Sequence, residues 1–307
     1  MHLWRFAPML DIHRILKNDR LLRAMTGLNR KAFDELFSSF SQAFETATQS
    51  TSKRRQRSPG AGRKANIPTL RDKLCFILLY FKTYPTFDVL GILFDFDKSQ
   101  ANRWVHRLQP ILETALGKEL VLPKRQITTI NEFIESFPEV KRVIIDGVER
   151  PIQRPQDSTR QKRTYSGKKK RNTRKHIGAS DQDKRILVLT PVQDGKFHDK
   201  CLLDASILVE NIPKDIPIQG DLGLKGLEDE YDNIEIPHKK PKGGKLTDEQ
   251  KAQNRELSGE RVVVEHAFGG TKRYGAAANI YRNRKKDFDD HLMLTSAGLW
   301  NFYLKAA

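Results

Sequence analysis

The chain has 307 residues and carries 55 lysines and arginines against 38 aspartates and glutamates, a net charge of +17. That excess points to a polyanionic partner, and no run approaches the ~18 apolar residues of a membrane span. The opening Met1-His-Leu-Trp-Arg-Phe lacks the apolar core of a signal peptide, and no Cys/His cluster has zinc-ligand spacing. The two cysteines, Cys75 and Cys201, lie far apart in apolar contexts and read as buried free thiols of a reducing cytoplasm.

Residues 1–45 form a first helical segment, with apolar side chains at Leu22, Met25, Leu28, Phe33, Leu36, Phe37, Phe40 and Phe44. The segment is read either as a dimerisation element or as part of an N-terminal bundle. Residues 46–67 change character to small, polar and basic, through Lys53-Arg54-Arg55-Gln-Arg57 and Ser58-Pro-Gly-Ala-Gly-Arg63-Lys64. They read as a flexible linker, either simply solvated or lying as a basic arm along a DNA minor groove through Arg54, Arg55 and Arg63.

Residues 68–120 read as three helices, Leu70–Lys82, Phe87–Phe94 and Asp97–Leu116, the last starting at an Asp-Lys-Ser capping signal. The turn at Asp95-Phe-Asp97 fits a helix-turn-helix. Lys98, Ser99, Gln100, Asn102, Arg103 and His106 would then face base edges, and Trp104, Val105 and Leu108 the core. A plain helical bundle has the same pattern. A connector over 121–140 leads into a region, 141–307, that alternates strands (Arg142–Asp146, His176–Ser180, Ile186–Val192, Ile216–Gly220, Ile234–Ile236) with helices (Lys200–Glu210, Asp248–Lys272, Phe288–Lys305). That alternation is α/β with a mixed central sheet.

Three acids stand out there. Asp146 ends an apolar β-branched run broken by Gly147, and Asp221 ends another between Gly220 and Gly223. Each alone is equally a turn cap. Glu265 lies on a helix four residues after Arg261 and seven before Lys272, so all three share a face. A salt-bridged surface helix explains that spacing; so does a carboxylate ligand flanked by phosphate-holding cations. Two strand-end aspartates and a helix glutamate are what a pair of Mg²⁺ or Mn²⁺ ions requires. Gly167 to Lys175 reads as a basic loop between strands, with Lys168, Lys169, Lys170 and Arg171 on phosphates or merely solvated. His198-Asp199 reads as a cap for the helix at Lys200.

These motifs in this order resemble the DDE transposases of bacterial insertion sequences, in the "IS five" group related to the Harbinger transposases. The resemblance runs from Thr83-Tyr-Pro-Thr-Phe87 and Ser99-Gln-Ala-Asn-Arg-Trp104 through Asp146-Gly-Val-Glu-Arg-Pro-Ile152, Tyr165-Ser-Gly-Lys-Lys-Lys-Arg171, Phe197-His-Asp199 and Gly220-Asp221. It continues through Pro237-His-Lys-Lys-Pro241, Arg261/Glu265/Lys272 and Tyr281-Arg-Asn283. Ser258 stands where the family has Tyr, and Leu224 where relatives often do.

The resemblance implies an RNase H-like catalytic domain preceded by an all-α helix-turn-helix DNA-binding domain. It makes Asp146, Asp221 and Glu265 the catalytic triad and ligands of two Mg²⁺ ions, for which Mn²⁺ substitutes. The expected partners are duplex DNA, both terminal inverted repeats and target, and a second copy of the chain in the synaptic complex. The expected place is the bacterial cytoplasm, on the nucleoid. Competing readings are a decayed transposase that only binds DNA, a nuclease that does not join strands, and a basic RNA-binding module.

Overall fold

The computed structural model describes residues 10–52 and 66–306. The chain divides into two compact units: Met1–Leu122 with Lys272–Ala277 and Asn301–Ala307, and Pro123–Thr271 with Ala278–Trp300.

The first unit is helical. Its helices are α1 (Ile12–Lys17), α2 (Asp19–Thr26), α3 (Arg30–Ser52), α4 (Leu70–Thr83), α5 (Phe87–Phe94) and α6 (Lys98–Lys118). Helix α3 continues through Ser52, so the stretch from Thr46 read as linker is still helical at its start. Each start is set by a side chain that accepts a helical N–H: Asn18 for α2, a reciprocal Thr69/Asp72 box for α4, Thr86 for α5 and Asp97 for α6. Helix α4 is the core, buried from Lys73 to Phe81, with Phe76 edge-on to Phe94 at 4.8 Å. The α5–α6 turn is tight: Phe96 N–H donates to Gly91 O at 2.8 Å, and a Cβ on Gly91 would lie 2.7 Å from Phe96 O. Only glycine fits there.

The second unit is α/β. In chain order it contains α7 (Ile130–Ser136), β1 (Val143–Pro151), α8 (Ser158–Thr164), β2 (Tyr165–Ser166), β3 (Arg171–Asp181), β4 (Ile186–Leu189) and β5 (Gln193–Asp194). It continues with α9 (Asp199–Ala205), β6 (Ile218–Gln219), β7 (Ile234–Glu235) and α10 (Asp248–Thr271); of the helices that follow, α11 (Gly275–Ala278) falls in the first unit up to Ala277, and α12 (Phe288–Ala306) in the second up to Trp300. The sheet is mixed, as expected. β1 and β3 pair antiparallel from Val143↔Asp181 to Pro151↔Thr173, while β6 adds parallel to β1 and β7 parallel to β6. β4 and β5 pair with β3 as well.

Several expectations change. The helix expected to Glu210 ends at Ala205, and the strand expected to Val192 ends at Leu189. β1 does not stop at Gly147; nine residues of pairing with β3 carry it to Pro151, which outweighs glycine's weak strand propensity. The supposed loop after Gly167 is strand from Arg171 onward.

Alternation along β1 and β3 gives the sheet two different faces. Val143, Ile145, Ile177 and Ala179 point into a core with Phe133 of α7, Leu203 of α9 and Leu208. The other face, with Asp146 and Gly178, takes α10: a Cβ on Gly178 would lie 2.3 Å from the Phe268 ring. Cys75 is buried, but Cys201 is exposed, because α9 turns its Leu203 side inward and Cys201 out. Trp104 is only half-buried, its ring covered by Lys73 and Arg107 rather than by core. Among the described residues no helix is long and apolar enough to cross a membrane.

Candidate active site

Asp146 sits mid-strand, half-buried, its Oδ1 accepting from Gly147 N–H at 2.8 Å. The parallel register pairs Ile144 with Gln219. Two residues further along each chain come Asp146 and Asp221, so the register itself sets the two acids side by side. Burial first, and then the charge of Asp221, push the Asp146 carboxyl above its ordinary range; Lys168 and Arg261 pull against this. Asp221 leaves β6 to cap the 3-10 turn Leu222–Leu224, accepting from Gly223 N–H at 2.8 Å, and Lys168 Nζ stands 3.6 Å from its Oδ2.

Glu265 does not join this pair. It is exposed on α10, which buries Val264, Ala267 and Phe268 instead. Among the described residues, no three Asp, Glu, His or Cys side chains stand close enough to hold one ion. Arg261, one turn before Glu265 and half-buried, is the α10 residue whose charge reaches Asp146. Lys272 lies just past the end of α10, which stops at Thr271. Two adjacent carboxylates that raise one of their own pKa values nonetheless suit a hard divalent cation: all donors are oxygens, and a cation relieves the repulsion.

The basic segment divides by role. Lys168, Lys169, Lys170 and Arg171 are exposed around the β2–β3 turn, with Lys170 in the left-handed region at φ 52°. Arg163, Arg174 and Lys175 are instead committed to acids: Arg163 and Arg174 to Asp194, Arg174 also to Asp289. Lys175 is buried between Asp199 (2.8 Å) and Glu149 (3.4 Å). Glu149 is its cross-strand partner and takes a further bond from Thr173 Oγ1 at 2.7 Å.

This Lys175–Glu149–Asp199 cluster escapes sequence reasoning, which reads Lys175 as the end of a basic loop. It lies beside the acid pair. A Cβ on Gly147 would meet Asp199 Oδ1 at 2.5 Å, and one on Gly223 would meet Asp199 Oδ2 at 3.6 Å. Asp199 thus begins α9 with its side chain against the back of β1 at Gly147, on the face opposite to the Asp146 side chain; His198 is the cap residue but makes no capping bond. Its signal in the sequence is the Phe197-His-Asp199 motif. A second missed feature is a cavity of 1250 Å³ lined by Arg154, Arg160, Arg282, Arg284, Lys285 and Lys286.

In the helical unit, Ser99, Gln100 and Arg103 are exposed on the first turns of α6 and Asn102 is half-buried. Lys98 pairs with Asp88 and Arg103 Nε donates to Ser99 O. Arg54, Arg55 and Arg63 lie outside the described residues.

Residues 145–301 match the family described as DDE superfamily endonuclease, and residues 67–118 match the helix-turn-helix of DDE superfamily endonuclease. The chain is 28% identical over 285 residues to a protein of Microchaete diplosiphon named "Probable transposase for insertion sequence element IS702". That alignment covers 93% of this chain and 95% of the relative. No solved structure matches the chain.

Proposed function

Because the chain belongs to the DDE superfamily endonucleases, we propose that it is the transposase of an insertion sequence, binding terminal inverted repeats, cutting their ends and joining the 3′ ends to target DNA. Membership of that superfamily, with its helix-turn-helix, makes it a divalent-metal-dependent enzyme acting on DNA. The observation that carries the finer reading is the adjacency of Asp146 and Asp221 with Arg261 and Lys168 beside them.

Asp146 and Asp221 would hold Mg²⁺, or Mn²⁺ in its place, and Glu265, which stands apart from them in this structure, would complete the site for a pair of ions. Bound there, such ions supply activation of an attacking hydroxyl and neutralisation of charge on the leaving oxygen. The protein's own contribution is positioning. β1 and β6 fix two carboxylates in register, and Arg261 and Lys272 on or beside α10 clamp phosphate oxygens. The Lys168–Arg171 turn holds the strand's backbone, and Ser99, Gln100, Asn102 and Arg103 read base edges. The basic arm with Arg54, Arg55 and Arg63 adds minor-groove contacts. Holding two element ends together calls for a homodimer or larger assembly, acting on the nucleoid in the cytoplasm.

The test is cleavage of end-labelled DNA bearing the element's terminal repeats, in Mg²⁺ or EDTA, by wild type and Glu265→Gln. The expected result is metal-dependent cutting at the repeat end, abolished in the variant, with DNA binding retained. Full activity in Glu265→Gln would remove Glu265 from the triad; binding without cutting under any divalent metal would leave a DNA-binding protein.

A further inference from the structure

Tyr165 is 46% exposed, although it lies in a strand. It opens β2, pairs with Asn172 of β3, and its partner residue is pinned by bonds from Asn172 Nδ2 to Gln161 O and Thr164 Oγ1, both 2.9 Å. The ring is therefore carried on a stiff support while the residue stays open to solvent. It lines a cavity of 650 Å³ together with Ile152, Arg154, Lys162, Lys170 and Arg171. Four cations around one open aromatic ring is the composition of a single-strand nucleic-acid subsite, where the base stacks and the cations hold the backbone.

Its location adds a direction. From Tyr165 to Lys168 the chain is three residues long, at most about 11 Å, and Lys168 Nζ is 3.6 Å from the Asp221 carboxylate. That limit keeps the ring within a few nucleotides of the acid pair along one strand. On the other side the cavity shares Ile152 and Arg154 with the larger basic cavity that Arg282, Arg284, Lys285 and Lys286 line. The ring and the basic hollow thus adjoin through Arg154, and Lys168, three residues on from Tyr165, stands at the acid pair.

We propose that Tyr165 and the cations around it form a stacking subsite for an unpaired nucleotide of the DNA strand whose phosphate lies at the acid pair. This deepens the reading of the second unit as a DNA-cutting domain and rests on it. Inside a duplex every base face is covered by its neighbours, and only the terminal pair, still held by its partner base, is open to the ring. The subsite therefore favours ends that are frayed or already nicked.

The test is fluorescence anisotropy with the full chain in EDTA, comparing a blunt duplex with the same duplex bearing a short unpaired overhang. The expected result is that wild type prefers the overhang. Tyr165→Ala loses about 5- to 150-fold in overhang affinity, the range of one aromatic–base stack, with blunt-duplex affinity unchanged, and Tyr165→Phe keeps the preference. If Tyr165→Ala melts early, Tyr165→Leu reads the same contrast with apolar bulk but no ring face. Equal affinity of wild type for both DNAs, or equal losses on both in the variant, overturns the subsite. Because the assay contains no metal, a chain that shows the expected pattern but never cuts DNA refutes the transposase reading and leaves the subsite standing.

Discussion

His176 shows how far a side chain's role departs from its chemistry in isolation. It is buried in β3, and its Nδ1 lies 2.9 Å from Thr190 O, which makes that nitrogen the N–H donor. Burial lowers its pKa from the usual 6.5 to about 4, the Thr190 bond and Asp290 opposing this and Arg125 adding to it. At neutral pH the 3.7 Å approach to Asp290 is therefore not an ion pair. Because the folded pKa lies below the unfolded one, the unfolded chain takes up the proton first. Stability is intact above pH 6.5 and falls as pH drops from there toward 4, by about 3 kcal/mol at ~1.36 kcal/mol per unit. Denaturant melts of wild type and His176→Asn, which keeps a donor for Thr190, should differ in slope across that window. Parallel curves would show that His176 does not titrate as described.

Lys175 carries the companion lesson. An exposed-looking basic run contains a lysine that is 5% exposed, and nothing in Arg171-Asn-Thr-Arg-Lys175 distinguishes it from Lys168. The distinction comes from the strand: once β3 begins at Arg171, period-2 alternation sends Lys175 inward toward its cross-strand partner Glu149. Its folded pKa is raised because Asp199 and Glu149 outweigh the larger desolvation that lowers it, so it stays charged.

Among elements, α10 depends on a missing side chain. Gly178 leaves room for the Phe268 ring, and Gly270 leaves room for Trp300, where a Cβ would come within 2.3 Å of the indole. Gly178→Ala should destabilise the unit by about 1–3 kcal/mol, the range for overpacking a core. Phe268→Leu in the same chain should recover part of that loss. Calorimetric melts of the two single variants and the double variant measure it; additive losses would show that the two side chains do not meet.

At this scale helices are the more legible elements. α5 starts and ends where its period and caps place it, and α4 and α6 come within two residues, because their signals are local. Strands are less so, since a strand is completed by a partner far away in sequence. Gly147 looks like a breaker until nine residues of β3 lie alongside. The two aspartates are visible in the sequence, yet their adjacency depends on a parallel pairing between Ile144 and Gln219 that no local pattern reveals. Glu265 stands out by its spacing to Arg261, but spacing on a helix does not determine which face is buried.

For the whole molecule, the surplus of +17 is distributed unevenly. Some cations neutralise acids inside the α/β unit, and others remain outside, at the β2–β3 turn and along Arg282–Lys286. The external ones govern salt response. Affinity for duplex DNA should fall linearly with salt on logarithmic axes. Replacing Lys168, Lys169, Lys170 and Arg171 with alanine should flatten that slope by about 0.9 for each phosphate that is no longer neutralised. Titrations over a series of chloride concentrations read this directly. An unchanged slope would mean that these four do not touch the backbone.

The uninterrupted run of β1 through Asp146 also limits how this chain can change in length. Asp146 and Glu149 serve opposite faces of one ribbon, the first beside Asp221 and the second under Lys175. A single residue inserted between Val143 and Asp146 would exchange those faces for every position after it, unless a bulge absorbed it. Insertions between Gln153 and Asp157 would shift no strand register, because no strand pairing follows them until Tyr165, and would disturb only local bonds such as those of Arg154 and Pro155 with Gln161. Variation in length is thus open to the loops and closed to the nine residues from Val143 to Pro151.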